Sequence, residues 1–223
     1  MDEMTRVRLR DDEFYLIDPE RYDRGQTVLL LGSSYTGKST LLVHSLEEIV
    51  EKNIYDVIVL MTESISAEPL KNLPEEVILL QGYHPELVQM LAKINNATKN
   101  RYRVLIVLDD CCSIHNSKTL EKQVLIYRNA NISTIISTQY PKLLSPAMRS
   151  SVHRTVLTGS KSSELRMQIE KLFMNHFLAH FSRPSRERFL INNTTLNPKD
   201  GKPKVIVIDN VKDELFVQYR PST

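Results

Sequence analysis

Short continuous apolar runs recur along this chain, and between them the apolar residues return every three or four positions. The first kind of pattern predicts buried β-strands and the second predicts helices with one face on a core. Strands are expected at Val28–Leu31, Tyr55–Met61 and Glu75–Leu80. Others are expected in "YRVLIVLDD" ending at Asp109, in the β-branched "ISTIISTQ", and in "HRTVLTG". Leu41, Leu42, Ser45, Leu46 and Ile49 form a helical face after the first strand. A second helix is predicted over Glu86–Ala97, with Leu87, Met90, Leu91 and Ile94 on one side. "SKTLEKQVLIYRNA" predicts a third helix, ending near Asn129. A long fourth runs from Ser162 to Phe181, begun by a serine cap with Glu164 in its first turn. Strands alternating with helices predict an α/β fold: a mostly parallel sheet with helices on both faces.

The pattern changes after about Arg186. "RERFLINNTTL", "KPKVIVID" and "ELFVQYR" each predict a strand, with a turn at "NPKDG". Such a β-rich C-terminal extension, about 186–223, either lengthens the sheet by hairpins or forms a small annex to a core over about 25–182. Near the other end, "RVRLR" (Arg6–Arg10) reads as an edge strand or as an arm reaching a neighbour. Linkers are short, so the chain is expected to be a single domain.

At 223 residues the chain is long enough to bury a substantial core, and its 41% hydrophobic and 25% charged content is ordinary for a globular protein. No apolar run reaches the roughly 18 residues of a membrane span, and "MDEMTRVRLRDDEF" lacks the apolar centre of a signal peptide. The cysteines are adjacent, Cys111 and Cys112, which is neither a disulfide framework nor a zinc spacing; a reducing compartment is expected. They read as small buried residues after a strand. Net charge is +2, yet between Tyr140 and Leu190 stand nine basic and three acidic residues. The basic ones are Lys142, Arg149, Arg154, Lys161, Arg166, Lys171, Arg183, Arg186 and Arg188. This stretch is either a polyanion-binding surface or a solvated face balanced elsewhere in the fold. Phe173, Phe177 and Phe181, spaced by four, read as core. His176 and His180 on the same helix have no partner at metal spacing.

The chemistry begins at "GSSYTGKST". Gly32, Ser33, Ser34, Tyr35, Thr36, Gly37, Lys38, Ser39 and Thr40 match the phosphate-binding pattern G-x-x-x-x-G-K-[ST], with a strand before and a helix after. Backbone N–H groups and the positive end of the helix make an anion cradle there. Lys38 is expected to reach the β- and γ-phosphates of ATP, and Ser39 to place its hydroxyl on Mg²⁺. The strand ending in Asp109–Asp110 supplies the matching acids. Asp109 fits the metal-organising (Walker B) position and Asp110 that of a general base for water. An acid there favours hydrolysis over transfer, as in the additional-strand class of such enzymes. "STIISTQ" is then the intervening strand, with Gln139 pointing at the γ-phosphate from its carboxyl end.

"LLLGSSYTGKST", "VLIVLDDC" and "ISTQYPKLLSPAMRSSV" together resemble the FtsK–HerA superfamily. More closely they resemble the genome-packaging ATPases of poxviruses and other large DNA viruses, over about Thr27–Thr158. The resemblance implies a RecA-like core in a homo-oligomeric ring of five or six subunits. ATP hydrolysis in such a ring drives double-stranded DNA into a preformed capsid, with a capsid or vertex protein as partner. It also implies action in the host cytoplasm where virions assemble, possible packaging in the virion, and an arginine acting on a neighbouring subunit's nucleotide. Arg149 fits that pattern; Arg154 and Arg128 are rivals. Cellular relatives carry glutamate where this chain has Asp110. The basic stretch would then hold DNA through its phosphates.

Two other readings remain open. A small-molecule or nucleoside kinase suits the phosphate loop and the size, with "SRPSRER" (Ser182–Arg188) as an arginine lid. A nucleotide-dependent assembly module with little turnover suits the shorter Asp110. A guanine-specific switch lacks its Asn-Lys-x-Asp.

Overall fold

The computed structural model describes residues 9–10, 13–18, 25–111, 118–194 and 203–220. Among these residues nine strands form one sheet: β1 (Leu9–Arg10), β2 (Thr27–Gly32), β3 (Val57–Thr62), β4 (Val77–Gln81), β5 (Val104–Asp109), β6 (Ile132–Thr138), β7 (Arg154–Gly159), β8 (Lys204–Asp209) and β9 (Glu214–Tyr219). Their order is β1-β9-β8-β7-β2-β6-β5-β3-β4. All pairings are parallel except the two made by β8, with β7 and with β9. The expected intervening strand is therefore real: β6 separates β2 from β5.

Central strands covered on both faces need apolar residues at every position rather than at alternate ones. In β2 and β5 every residue is buried, as the continuous runs predict. Odd and even positions feed two separate cores. Leu29, Leu31, Ile106 and Leu108 face one side, while Val28, Leu30, Leu105 and Val107 face the other. The helices are shared unequally between the faces. Among the described residues the second face is covered by α1 (Lys38–Glu51), through Leu41, Leu42, Leu46 and Ile49, and by a short 3-10 turn over Glu68–Asn72, through Leu70, joined by Phe14, Leu16 and Ile17. The first face takes α2 (Pro85–Ala97), α3 (Lys118–Leu125), α4 (Pro146–Ser151), α5 (Ser163–Ile169) and α6 (Arg183–Thr194).

Three expectations need correction. The segment "RERFLINNTTL" is not a strand; its described residues, up to Thr194, belong to helix α6. The signal lay just upstream: Ser182 Oγ accepts from the Ser185 amide at 3.4 Å, and Pro184 occupies the first turn, where its missing N–H costs nothing. The long helix over 162–181 begins as expected, with Ser162 Oγ accepting from the Leu165 amide. It then widens into a π-turn over Glu170–Met174 and continues as turns. Phe173, Phe177 and Phe181 still pack on the core. On α2 the residues that face the sheet are Val88, Ala92 and Asn95; Leu87 and Leu91 flank them, and Met90 and Ile94 are exposed.

The tail lengthens the main sheet by the β8–β9 hairpin rather than forming an annex. Leu9–Arg10 pairs with β9 as an edge strand, and Arg10 Nη2 reaches Glu214 at 2.5 Å. The remainder of "RVRLR", the turn "NPKDG" and Cys112 lie outside the described residues. Cys111 is buried as expected, its thiol donating to the Met61 carbonyl at 3.1 Å. Burial, then Glu63, pushes that thiol up to about 12, which keeps it protonated and unreactive at neutral pH.

Leu30 sits at the centre of β2, fully buried between β6 and β7. Leu30→Ala is expected to destabilise the protein by about 3 kcal/mol, read as a lowered urea midpoint with an unchanged slope.

Candidate nucleotide site

Strands β2, β5 and β6 are parallel neighbours, so their carboxyl ends open at one edge of the sheet. Gly32 ends β2 because nothing larger fits: a Cβ there would lie 2.1 Å from Thr158 Oγ1 and 2.6 Å from Thr36 Oγ1. The loop then turns through two left-handed residues, Tyr35 (φ 61°) and Gly37 (φ 79°), and Gly37 caps α1. Lys38 is the first residue of that helix, where unpaired N–H groups and the helix dipole favour an anion. The loop is tied down on its flanks. The Ser33 amide donates to Gly159 O at 2.9 Å, the Thr36 hydroxyl donates to Ser33 O at 2.8 Å, and the Thr36 and Thr158 hydroxyls meet at 2.9 Å.

The predicted site residues converge here. Lys38 is 5% exposed; its Nζ lies 3.5 Å from Asp110 Oδ2 and donates to Ser33 O at 3.4 Å. The Ser39 hydroxyl donates to Asp109 Oδ2 at 3.1 Å, joining α1 to β5 across the intervening strand. Ser34 Oγ donates to Gln139 Oε1 at 3.0 Å, so the residue after β6 touches the loop. Asp110 has φ 46°, unusual for a residue with a side chain, and its amide donates to Ser137 O at 2.9 Å. That twist takes Asp110 off the strand line and leaves its carboxylate against Lys38. Thr40 and Tyr35 are exposed, Tyr35 to 86%, with Lys161 Nζ 5.3 Å from the Tyr35 ring centroid.

Asp109 is buried, and its Oδ1 accepts no hydrogen bond among the described residues. Burial raises its carboxyl above the ordinary value; the Ser137 and Ser39 hydroxyls and Lys38 oppose that shift, and Asp110 adds to it. A buried carboxylate oxygen with no partner is costly unless something positive binds it. With the Ser39 hydroxyl beside it, the donor set is the hard-oxygen pair that suits Mg²⁺. The fit with the expected metal residues is good.

The three arginines separate. Arg149, in the last turn of α4, is half-buried and donates to Leu144 O at 2.6 Å. Arg154 begins β7, at the sheet end opposite the phosphate loop, and pairs with Asp209 at 3.1 Å and Asp18 at 3.8 Å. Arg128 lies before β6, also at the far end. The basic stretch is less open than its count suggests. Arg154, Arg166 and Arg186 have internal carboxylate partners, whereas Lys142, Lys161, Lys171, Arg183 and Arg188 are exposed.

Sequence reading missed Thr158 and Gly159, which brace the loop from the end of β7, and Ser137, the register partner of Asp109. It also missed Arg220, which reaches Thr36 O at 2.8 Å from the far end of the chain. A strand stopping at a glycine, as β7 does, was the one available signal.

A phosphate loop, an acidic strand end and a strand between them define a P-loop NTPase of the additional-strand class. The chain belongs to the poxvirus A32 protein family, whose model matches residues 22–211. No curated protein matches it in sequence. In fold it is similar to B204, the DNA-packaging ATPase from Sulfolobus turreted icosahedral virus (13% identity, TM-score 0.59, covering 89% of this chain and 98% of that one). It is equally similar to the genome-packaging NTPase B204 of Sulfolobus turreted icosahedral virus 2 in complex with AMPPCP (14% identity, TM-score 0.59, with the same coverage of both chains). The pCW3 conjugation coupling protein TcpA, in a monomer form with ATPγS, also shares the fold (13% identity, TM-score 0.50, 89% of this chain and 62% of that one).

Because its carboxyl is raised by burial, Asp109 should penalise the fold once it ionises. The sign follows: the unfolded chain loses this proton first, so stability falls as pH rises from the ordinary carboxylate range and levels off above the raised value. Asp109→Asn is therefore expected to melt higher than wild type at pH 7, by ~2–4 °C per kcal/mol relieved, with the gap closing in acid. Thermal melts from pH 3 to pH 8 check this.

Proposed function

We propose that this chain is an ATP-hydrolysing motor that moves viral double-stranded DNA into a preformed capsid. The observation that carries the reading is the convergence of Lys38, Ser39, Asp109, Asp110 and Gln139 at one sheet edge in a chain of the A32 family. DNA comes to this chain from the fold it shares with B204, named as a DNA-packaging ATPase. In this reading the loop amides and Lys38 hold the β- and γ-phosphates of ATP, and Ser39 and Asp109 hold Mg²⁺, which neutralises charge on the phosphates. A triphosphate competes with Asp110 for the Lys38 ammonium and so frees Asp110 to orient and deprotonate the attacking water. Gln139, released from Ser34, reports the γ-phosphate to the segment leading into α4. Arg149 then acts on the neighbouring subunit's nucleotide in a ring of five or six, docked on a capsid or vertex protein in the host cytoplasm. The exposed Lys142, Lys161, Lys171, Arg183 and Arg188 supply the phosphate contacts to DNA.

The kinase reading loses its lid. "SRPSRER" opens helix α6, and Arg186 is held by Glu170 at 2.7 Å and by the Phe181 carbonyl at 2.7 Å. Among the described residues no helix is long and apolar enough to cross a membrane.

Steady-state ATP hydrolysis is expected to rise with linear double-stranded DNA and to lose that stimulation as salt increases, because the contacts are to phosphates. Lys38→Ala should lower the rate at least ~100-fold. Hydrolysis indifferent to DNA at every salt concentration would remove the motor reading and leave the nucleotide site standing. For Arg149, mixing inactive Arg149→Ala with inactive Lys38→Ala subunits should restore partial activity. No recovery at any ratio, in rings shown to be mixed, rules out a role in trans.

A further inference from the structure

Arg220 follows the last strand and is 184 residues from the phosphate loop in sequence, yet it binds the loop directly. The topology explains how. Two reversals, β7 to β8 and β8 to β9, return β9 to the direction of β2, so its carboxyl end lies beside the loop. There the Arg220 guanidinium spreads over three carbonyls: Nη1 on Thr36 O at 2.8 Å, Nη2 on Thr158 O, and Nε on Lys204 O at 3.2 Å. Its own amide donates to Pro203 O at 2.9 Å. Thr36 and Thr158 are the same residues whose hydroxyls meet at the base of the loop. No carboxylate pairs with Arg220 among the described residues; its side-chain partners there are neutral carbonyl oxygens. Burial lowers the guanidinium to about 10, which still leaves it charged at neutral pH.

We propose that Arg220 is a positioning residue of the nucleotide site, holding the Thr36 peptide so that the Gly37 turn and the start of α1 face the phosphates, and adding a positive charge whose counter-anion is the bound triphosphate. This rests on the reading of the site as one for nucleoside triphosphates. A planar fork meeting two carbonyls at once is a geometry that lysine cannot reproduce. A cation near the cradle favours ligands in proportion to their phosphate charge.

The test is calorimetric titration of the full chain with Mg·ATP and with AMP, alongside steady-state kinetics and thermal melts. Arg220→Gln is expected to weaken ATP about tenfold, the scale of hydrogen bonds to a charged group, and AMP several-fold less. KM should rise with the ATP Kd while kcat stays within about threefold. Arg220→Lys, which keeps the charge and loses the fork, should fall between wild type and Arg220→Gln. An ATP Kd unchanged in folded Arg220→Gln, or equal losses for ATP and AMP, overturns the proposal. Should Arg220→Gln fail to fold, Arg220→Lys decides: an ATP Kd equal to wild type overturns it. Wild-type protein that binds no ATP would instead overturn the nucleotide-site reading, and this inference with it.

Discussion

Between the phosphate loop and the acidic strand end lies a whole strand, and the site exists because β6 keeps register with both of its neighbours. Leu31 pairs with Thr138, and Ser137 with Asp109, so the three strands end at nearly the same level. A residue leaving each end then meets the others: Ser39 reaches Asp109, Lys38 reaches Asp110, and Ser34 reaches Gln139. A slip of one residue in β6 would turn its buried side chains to the opposite core. It would also carry Gln139 away from the loop. Register is held by packing on both faces, through Ile135 on the α1 side and Ile136 on the other. The chemistry is thus positioned by hydrophobic alternation well below it.

What is placed at that edge is unfavourable by the rules that stabilise the rest. Asp109 is a buried acid with an oxygen left unpaired, Asp110 holds a left-handed backbone, and Lys38 is a buried cation set among these acids. Each costs free energy in the protein alone. In the function proposed above, each would be relieved at nucleotide binding: a divalent ion at Asp109, phosphate oxygens at Lys38, and the attacking water at Asp110. Grouping such costs where one bound species would offset all of them is how a rigid fold could express the proposed preference for a metal-bound triphosphate over its fragments.

Much of this was legible in the sequence, for definite reasons. Phosphate loops and acidic strand ends are local: their meaning lies in a few consecutive residues between a strand and a helix. Continuous apolar runs such as Leu105–Leu108 marked the central strands, and "STIISTQ" could be set between β2 and β5. Where the signal was short or shared, the reading failed. Residues 186–194 carry no strong period and read as a strand, and the cap at Ser182 and Pro184 that makes them helical entered only the rival kinase reading, as a lid. Met90 and Ile94 share the helical spacing of Leu87 and Leu91, yet the sheet touches α2 on Val88 and Ala92. Apart from the glycine that ends β7, nothing marked Thr158, Ser137 or Arg220, because nothing local distinguishes a threonine at a strand end that faces a loop from one that faces solvent. Of the nine basic residues that suggested a polyanion surface, three are spent on internal ion pairs, and the count alone hides that.

The C-terminal hairpin shows how distant sequence becomes part of a local site. A single strand added beside β7 in antiparallel sense would end away from the phosphate loop. Adding a second reverses the chain again and brings its end back to the loop, where Arg220 meets the carbonyls of Thr36 and Thr158. The hairpin is thus more than an extra margin on the sheet, because Arg220, the residue after β9, binds the same two residues, Thr36 and Thr158, that meet at the loop's base. The same two strands leave β9 as the partner of Leu9–Arg10, so both ends of the described chain are fastened to one hairpin. A force on that edge of the sheet has a short path to the nucleotide: through β9 to Arg220, from Arg220 to the Thr36 peptide, and from there to the first turn of α1. In the motor proposed above, such a connection would let the loop and the sheet edge respond to one another without any rearrangement of the core between them.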